Sequence, residues 1–110
     1  MKTTIQLGLL AIALTTAGNL SAADAKADWA KECAKCHGAD GRGQTKMGRQ
    51  TGAKDYSDPK VQAEMDDAKA FQRTKEGLKE NGKEKIKSYA GILTDDQIKA
   101  LVVYMRTFKK

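Results

Sequence analysis

Cysteine and histidine are scarce in this chain, whose 110 residues include two cysteines and one histidine. Structural zinc sites commonly take four cysteine or histidine ligands, so such a site would be one ligand short unless a carboxylate completed it. A thioredoxin-like dithiol needs a βαβ context, and no pattern of alternating strands is present. A structural disulfide between the two cysteines would close only a tiny loop and would stabilise a fold little.

Other features are absent as well. After residue 23 there is no apolar run long enough to cross a membrane, and there is no internal repeat, low-complexity tract or second domain. The chain has a net charge of +6 at pH 7, but it carries no nucleic-acid-binding motif, so nucleic-acid binding is not expected. The basic residues form either an ordinary solvated face or a surface that steers an acidic partner. The densest group is Lys79, Lys83, Lys85 and Lys87.

The longest apolar run lies near the start of the chain. Lys2 precedes an apolar stretch over 7–14, and the small residues 21–23 form a plausible cleavage site. The apolar run is short for a membrane span of about 20 residues, which favours cleavage over an uncleaved anchor. We therefore expect residues 1–23 to be a cleaved export signal and residues 24–110 to be one small exported domain without stable membrane insertion.

Both cysteines and the histidine fall in one run, Cys33-Ala34-Lys35-Cys36-His37. A C-x-x-C-H run is the attachment signature of a c-type haem. In a helix, positions 33, 36 and 37 are related as i, i+3 and i+4, so they share one face. Two thioether bonds can then hold the porphyrin edge while His37 binds the iron as proximal ligand. The motif predicts one covalently attached haem c per chain.

The segment before the motif is alanine-rich and favours a helix from Asp24 to Cys36, with Asp24 as a possible N-cap. Trp29 lies four residues before Cys33, and we expect it to pack inside. Gly38 is predicted to end this helix. The glycines within residues 38–52 indicate that this stretch is a loop. Several glycines beside a flat cofactor would allow close backbone approach.

Two helices are expected in the middle of the chain. Ser57 or Asp58 is positioned to cap a short helix near 59–65. A longer helix is predicted to start at residue 66 or 67 and to run to residue 77. Phe71 and Leu78 are seven residues apart, which is consistent with burial on one helical face.

The last helix has the clearest signals. Residues 81–93 are interpreted as a lysine-rich loop, after which Thr94 and Gln97 match a capping box. Asp95 and Asp96 suit the positive end of a helix dipole. The apolar residues that then share one stripe are Ile98, Leu101, Val102, Met105 and Phe108.

The motif is followed by Gly38-Ala39-Asp40-Gly41-Arg42-Gly43, and the last predicted helix contains Leu101-Val102-Val103-Tyr104-Met105. With Trp29 four residues before the first cysteine, the chain resembles a small class I c-type cytochrome of the bacterial monohaem kind over residues 24–110. The resemblance implies an all-α cytochrome c fold with three main helices and loops that enclose one covalently attached haem. It also implies Cys33 and Cys36 as thioether donors and His37 as proximal ligand.

The same resemblance implies a function. Proteins of this family usually transfer single electrons between periplasmic redox partners, so the chain is expected to be a periplasmic monomeric carrier and not an enzyme. Its partners are expected to have acidic docking surfaces. Arg49 and Tyr56 are candidate donors to the haem propionates, with ordinary loop solvation as the alternative. A single C-x-x-C-H run does not fit a two-haem peroxidase.

One departure from the family pattern concerns the sixth iron ligand. Related proteins usually carry methionine three residues before the aromatic residue of the distal loop, where this chain has Ile86-Lys87-Ser88-Tyr89. Isoleucine cannot ligate iron, so either Lys85 or Lys87 ligates after losing its proton, or the sixth position is open or holds water. Met47, Met65 and Met105 are interpreted as packing residues.

Two alternative functions follow from this departure and from the family. An open or lysine-ligated sixth position would suit a haem module that binds or senses a gas. The chain could instead be the electron-accepting subunit of a periplasmic dehydrogenase. The sequence does not identify the redox partners, the reduction potential or the pathway. A buried haem would supply much of the core of so small a domain, so we expect the apoprotein to be poorly folded.

Overall fold

The computed structural model describes residues 21–110, which form six helices and a two-stranded antiparallel sheet. The prediction of an all-α fold is confirmed in that the structure is mostly helical, although it also contains two short strands. Within this part of the chain, no helix is both long enough and apolar enough to cross a membrane. In chain order the elements are α1 (Ala22–Glu32), α2 (Ala34–His37), α3 (Lys46–Thr51), α4 (Pro59–Glu64), α5 (Asp67–Glu76), β1 (Leu78–Glu80), β2 (Lys83–Ile86) and α6 (Asp95–Arg106).

Helix α1 begins earlier than predicted. Ser21 is the N-cap, and its hydroxyl accepts a hydrogen bond from the Asp24 amide at 3.2 Å. The Asp24 carboxylate accepts in return from the Ser21 amide, which completes a capping box. The prediction of Asp24 as N-cap was therefore wrong, because Asp24 is the third residue of the helix. The predicted single helix is also divided at Cys33, which separates α1 from α2.

Helix α3 lies inside the stretch that was predicted to be a loop. Thr45 caps it by accepting a hydrogen bond from the Gly48 amide at 2.8 Å, and Gly52 ends it in the left-handed conformation. Gly48 is buried, and a Cβ there would overlap the carbonyl oxygens of Cys36 and Gly43. Glycine at this position therefore lets α3 pack directly against the backbone of the C-x-x-C-H turn.

The two middle helices agree with the prediction. Asp58 caps α4 by accepting from the Lys60 amide at 2.8 Å, and Asp66 caps α5 by accepting from the Lys69 amide at 2.9 Å. The burial that was expected of two residues is only partial, because Phe71 and Leu78 are both half-buried.

The lysine-rich loop prediction was wrong for residues 81–86, because β1 and β2 form a hairpin there. Asn81 and Gly82 form its turn with φ angles of 51° and 75°, the left-handed values that a tight type I′ turn needs. Leu78 lies opposite Ile86 in the register. The Asn-Gly pair was the sequence signal for this hairpin.

The core lies where α1 crosses α6. Trp29, Leu101 and Met105 form its centre, with exposed fractions of 1%, 0% and 6%. Ile98 and Val102 are buried on the same side of α6, and Phe108 is half-buried against the cluster. The predicted capping box of Thr94 with Gln97, the apolar stripe of α6 and the inward packing of Trp29 are thus confirmed.

Candidate functional site

The residues of the C-x-x-C-H motif lie in one turn that continues α1. The amides of Cys36 and His37 both donate to the Cys33 carbonyl oxygen, at 3.2 Å and 3.0 Å. Cys33 itself donates to the Trp29 carbonyl at 2.9 Å, so helical bonding is kept across the break. Both cysteines are half-buried with free thiols. The backbone therefore holds two thiols and one imidazole within a single turn.

His37 is enclosed by aromatic rings. Its ring is stacked on Tyr56, with centroids 5.0 Å apart and planes inclined by 30°, and its centroid lies 5.5 Å from that of Trp29. Burial lowers the pKa of His37 below 6.5, while the backbone of Lys54 acts more weakly in the opposite direction. The ring is thus neutral near pH 7, the form in which imidazole binds a metal. Its Nδ1 atom is buried and has no hydrogen-bond partner among residues 21–110.

The thiol of Cys33 is also shielded. Burial, and to a smaller extent the negative charges of Glu32 and Asp28, raise its pKa from 9.0 to about 12. Cys33 is therefore a neutral thiol at pH 7, unlike the low-pKa cysteines of redox enzymes. Among the described residues, no group of three or more His, Cys, Asp or Glu side chains is arranged to hold a metal ion.

Trp29 connects the core to this turn. Its indole N–H donates to the Gly38 carbonyl at 2.8 Å, and this buried bond fixes the residue that follows His37. The Trp29 ring also contacts Tyr104 and Phe108, with centroid distances of 5.8 Å and 5.0 Å. The position of the motif is thus set by the packing of α1 against α6.

The two predicted propionate donors differ in their placement. Tyr56 contacts His37, and burial raises the pKa of its hydroxyl. Arg49 is exposed on α3, where its guanidinium donates to the Gln44 carbonyl at 3.3 Å. Within the described part of the chain, no hydrogen bond joins Arg49 to the motif. The structure thus brings Tyr56 into contact with His37, whereas the Arg49 guanidinium is exposed and bonds within its own segment.

The three methionines of the described residues occupy packing positions or the surface. Met105 is buried in the core and Met65 packs against it, as predicted. Met47 is 37% exposed, more than a packing residue would be. Ile86, at the end of β2, is half-buried.

The two lysines that flank Ile86 are held by carboxylates. Lys85 pairs with Glu80 at 3.0 Å, and the Lys87 ammonium lies 4.0 Å from the Glu32 carboxylate.

The site has the chemistry that a covalently held haem requires. Two unpaired thiols can form thioethers, and a neutral, half-buried imidazole can ligate iron. Close backbone packing is provided by Gly48 and by Gly43, where a Cβ would lie 2.7 Å from the Ala53 carbonyl oxygen. The side chains and the backbone of this turn therefore fit a haem.

Comparisons with known proteins agree with this chemistry. A family model described as cytochrome c matches residues 22–109. The solved structure of the KustC0563 c-type cytochrome is similar at 29% identity with a TM-score of 0.67, and the match covers 78% of this chain and 98% of that one. A tyrosine-to-phenylalanine mutant of that cytochrome matches at 31% identity with a TM-score of 0.69, covering 78% and 99%. No curated protein matches the chain.

Proposed function

Because the chain belongs to the cytochrome c family, we propose that it is a periplasmic electron carrier whose single haem is attached to Cys33 and Cys36 and ligated by His37. The observation that supports this most directly is the turn that joins two free thiols to a half-buried, neutral imidazole. The predicted resemblance, the cytochrome c fold and the covalently attached haem c are confirmed by the family.

The family is typically one of electron carriers, and it supports haem binding and electron transfer in general. Bound haem supplies an iron that carries one electron by cycling between its ferric and ferrous states. The chain's own residues hold this group in place. His37 offers a neutral nitrogen, Trp29 fixes the backbone after it, and Tyr56 shields the imidazole from water. No acid, base or nucleophile is needed for such a function.

We propose the same arrangement of domains as the sequence predicts, with residues 1–23 as an export signal and residues 24–110 as the cytochrome domain. Most of the signal lies outside the described residues. Cleavage before Asp24 would remove the Ser21 cap and the first two residues of α1. Mass spectrometry of the secreted protein would identify the first residue, and retention of Met1 would contradict the proposal.

The hairpin is the proposed docking surface for an acidic partner. Lys79 and Lys83 are exposed on it and form no ion pair within residues 21–110. Oppositely charged partners attract one another over several ångströms, and salt screens this attraction. Lys85 on the hairpin pairs with Glu80, and Lys87 just after it lies near Glu32. Lys79 and Lys83 are therefore the hairpin lysines available to a partner.

Rapid electron exchange with anionic partners is the expected result that tests this function. Ferrous holoprotein should reduce ferricyanide quickly, and the rate should fall as salt is raised because the attraction is screened. The Lys79→Glu/Lys83→Glu variant should react several-fold more slowly at low salt, whereas Lys26→Glu, an exposed control on α1, should change little. Stopped-flow absorbance measures these rates. A slow, salt-independent exchange in all three proteins would contradict the carrier function.

A second candidate function, a haem that binds or senses a gas, is favoured by one observation. Ile86 stands where the family usually supplies methionine, and the methionines at 65 and 105 are engaged in the core. The ferrous protein would then bind carbon monoxide rapidly while exchanging electrons slowly. The third alternative, a subunit of a dehydrogenase, predicts co-purification with a larger chain.

Ile86→Met is expected to convert the ligation of the iron. The wild-type ferric protein should lack the weak red absorption of methionine-bound haem, and the variant should gain it. The reduction potential should rise by on the order of 0.1 V or more, because Met/His ligation raises it and axial ligands span about 0.8 V in haem proteins. Ile86→Leu is the control and should leave both unchanged. Red absorption in the wild type would show that a native methionine already ligates.

A further inference from the structure

The segment 86–90, which begins at the last residue of β2, is bonded on one side to the end of α5. The amides of Tyr89 and Ala90 donate to the carbonyls of Thr74 and Lys75 at 3.2 Å and 3.1 Å. The Ser88 hydroxyl donates to the Lys75 carbonyl at 2.8 Å. These bonds satisfy carbonyls that the last turn of a helix leaves without partners.

Gly77 permits this close approach. It has a φ of 77°, and a Cβ there would lie 2.5 Å from the Ile86 oxygen and 2.8 Å from the Ser88 amide nitrogen. The end of α5 and the start of segment 86–90 therefore pack backbone against backbone, which holds one side of the segment in place.

The other side of the segment is fastened to the turn that carries the cysteines. The Tyr89 hydroxyl donates to the Glu32 carbonyl at 2.8 Å, across 57 residues of sequence. Glu32 is the last residue of α1 and directly precedes Cys33. Since Tyr89 is otherwise joined to α5, this single side-chain bond connects two elements that are far apart in the chain.

Charged groups reinforce the same contact. The Lys87 ammonium lies 5.2 Å above the Tyr89 ring and 4.0 Å from the Glu32 carboxylate. That carboxylate belongs to a side chain that is only 15% exposed, so its attraction for a cation is screened less than on an open surface. Burial is the main cause that raises the pKa of Tyr89 to about 12. Tyr89 therefore remains a donor at any physiological pH.

We propose that Tyr89 is a positioning residue that latches segment 86–90 to the haem-attachment turn through Glu32, and that opening of this latch admits external ligands to the haem. The inference rests on the proposed haem attachment at Cys33. Lys87 belongs to the latch, and its contacts with Glu32 and the Tyr89 ring keep its ammonium out of the haem site while the latch is closed.

The alternative explanation is that the Tyr89 hydroxyl only provides a hydrogen-bond donor for the Glu32 carbonyl at the end of α1. That role would make Tyr89 a contributor to overall stability without any specific effect on ligand entry. The two explanations differ in what the loss of the hydroxyl does locally. A latch predicts faster opening of segment 86–90 alone, whereas a general stabiliser predicts equal effects throughout the fold.

The test compares Tyr89→Phe with Tyr104→Phe in the full-length holoprotein. Tyr104 is also half-buried, and its hydroxyl makes no hydrogen bond within residues 21–110, so its loss is a matched control. Stopped-flow mixing of the ferric protein with imidazole measures ligand entry, and amide hydrogen exchange measures opening at residues 88–90. The loss of one hydrogen bond should speed both processes in Tyr89→Phe by roughly two- to tenfold. Tyr104→Phe should match the wild type.

Three results would overturn the latch. These are unchanged imidazole entry in Tyr89→Phe, an equal increase in Tyr104→Phe, and faster exchange that is spread evenly over all helices. Ser88→Ala, which removes the bond to Lys75 on the other side of the segment, supplies a second variant and should also speed entry. A wild-type protein that carries no haem would instead contradict the proposed function, so the two failures are distinguishable.

Discussion

Replacing both Cys33 and Cys36 with serine is expected to abolish covalent haem attachment and to leave a poorly folded chain. Both thioethers are then lost, and haem that remains bound through His37 alone should be extracted by acidified acetone. Haem staining of a denaturing gel should show no band. The Cys36→Ser variant retains one thiol and should keep a stained band at reduced yield. It is the control that shows whether a single thioether is enough for covalent attachment.

The expected loss of structure follows from the small size of the core. In the described part of the chain, the buried apolar residues are Ala25, Trp29, Ile98, Leu101, Val102 and Met105. Because so few apolar residues are buried, the polypeptide alone buries little apolar surface, and a bound haem would add much of the missing apolar contact. Far-ultraviolet circular dichroism of the double variant should show most of the helical signal lost. A spectrum equal to that of the holoprotein would contradict this account, and covalent haem in the double variant would contradict the assignment of the thiols.

Local signals explain which parts of the fold could be predicted from the sequence. Helix α6 has its capping box, its first-turn acids and its apolar stripe within its own residues, so no distant contact was needed to predict it. The hairpin was missed although Asn81-Gly82 is a strong turn signal, because the lysines around it do not alternate with apolar residues. Helix α3 was missed because Gly48 and Gly52 were interpreted as loop residues. Gly48 in fact packs against the backbone of the C-x-x-C-H motif, and Gly52 ends the helix.

In the candidate site, too, the features set by local sequence could be predicted and those set by tertiary packing could not. The spacing of Cys33, Cys36 and His37 is local, so a single turn was enough to predict their common position. The stacking of Tyr56 on His37 and the bond from Tyr89 to Glu32 depend on tertiary packing between distant segments. Residue types alone do not reveal such contacts. The resemblance placed Tyr89 in the distal loop but did not identify Glu32 as its hydrogen-bond partner.

Trp29→Ala is expected to cost about 3–5 kcal/mol of folding free energy, the usual loss for a buried aromatic residue. The cost is high because the ring is 1% exposed and packs against Tyr104 and Phe108. It is a large share of the free energy of unfolding of a typical domain, which is about 5–15 kcal/mol. Trp29→Phe keeps most of the ring but leaves the buried Gly38 carbonyl without its donor. Its cost should be about 1–3 kcal/mol.

These two variants also test whether the core positions His37. Val103 is 68% exposed, so Val103→Ala should change stability by no more than about 0.5 kcal/mol and serves as the control. Denaturant titration of the holoprotein measures all three. Since Gly38 follows His37 directly, loss of the indole N–H should also loosen the imidazole, and Trp29→Phe should bind imidazole faster than its stability loss alone predicts. If Trp29→Phe matched the wild type in both measurements, the hydrogen bond to Gly38 would have no part in holding His37, and shape alone would position the ligand.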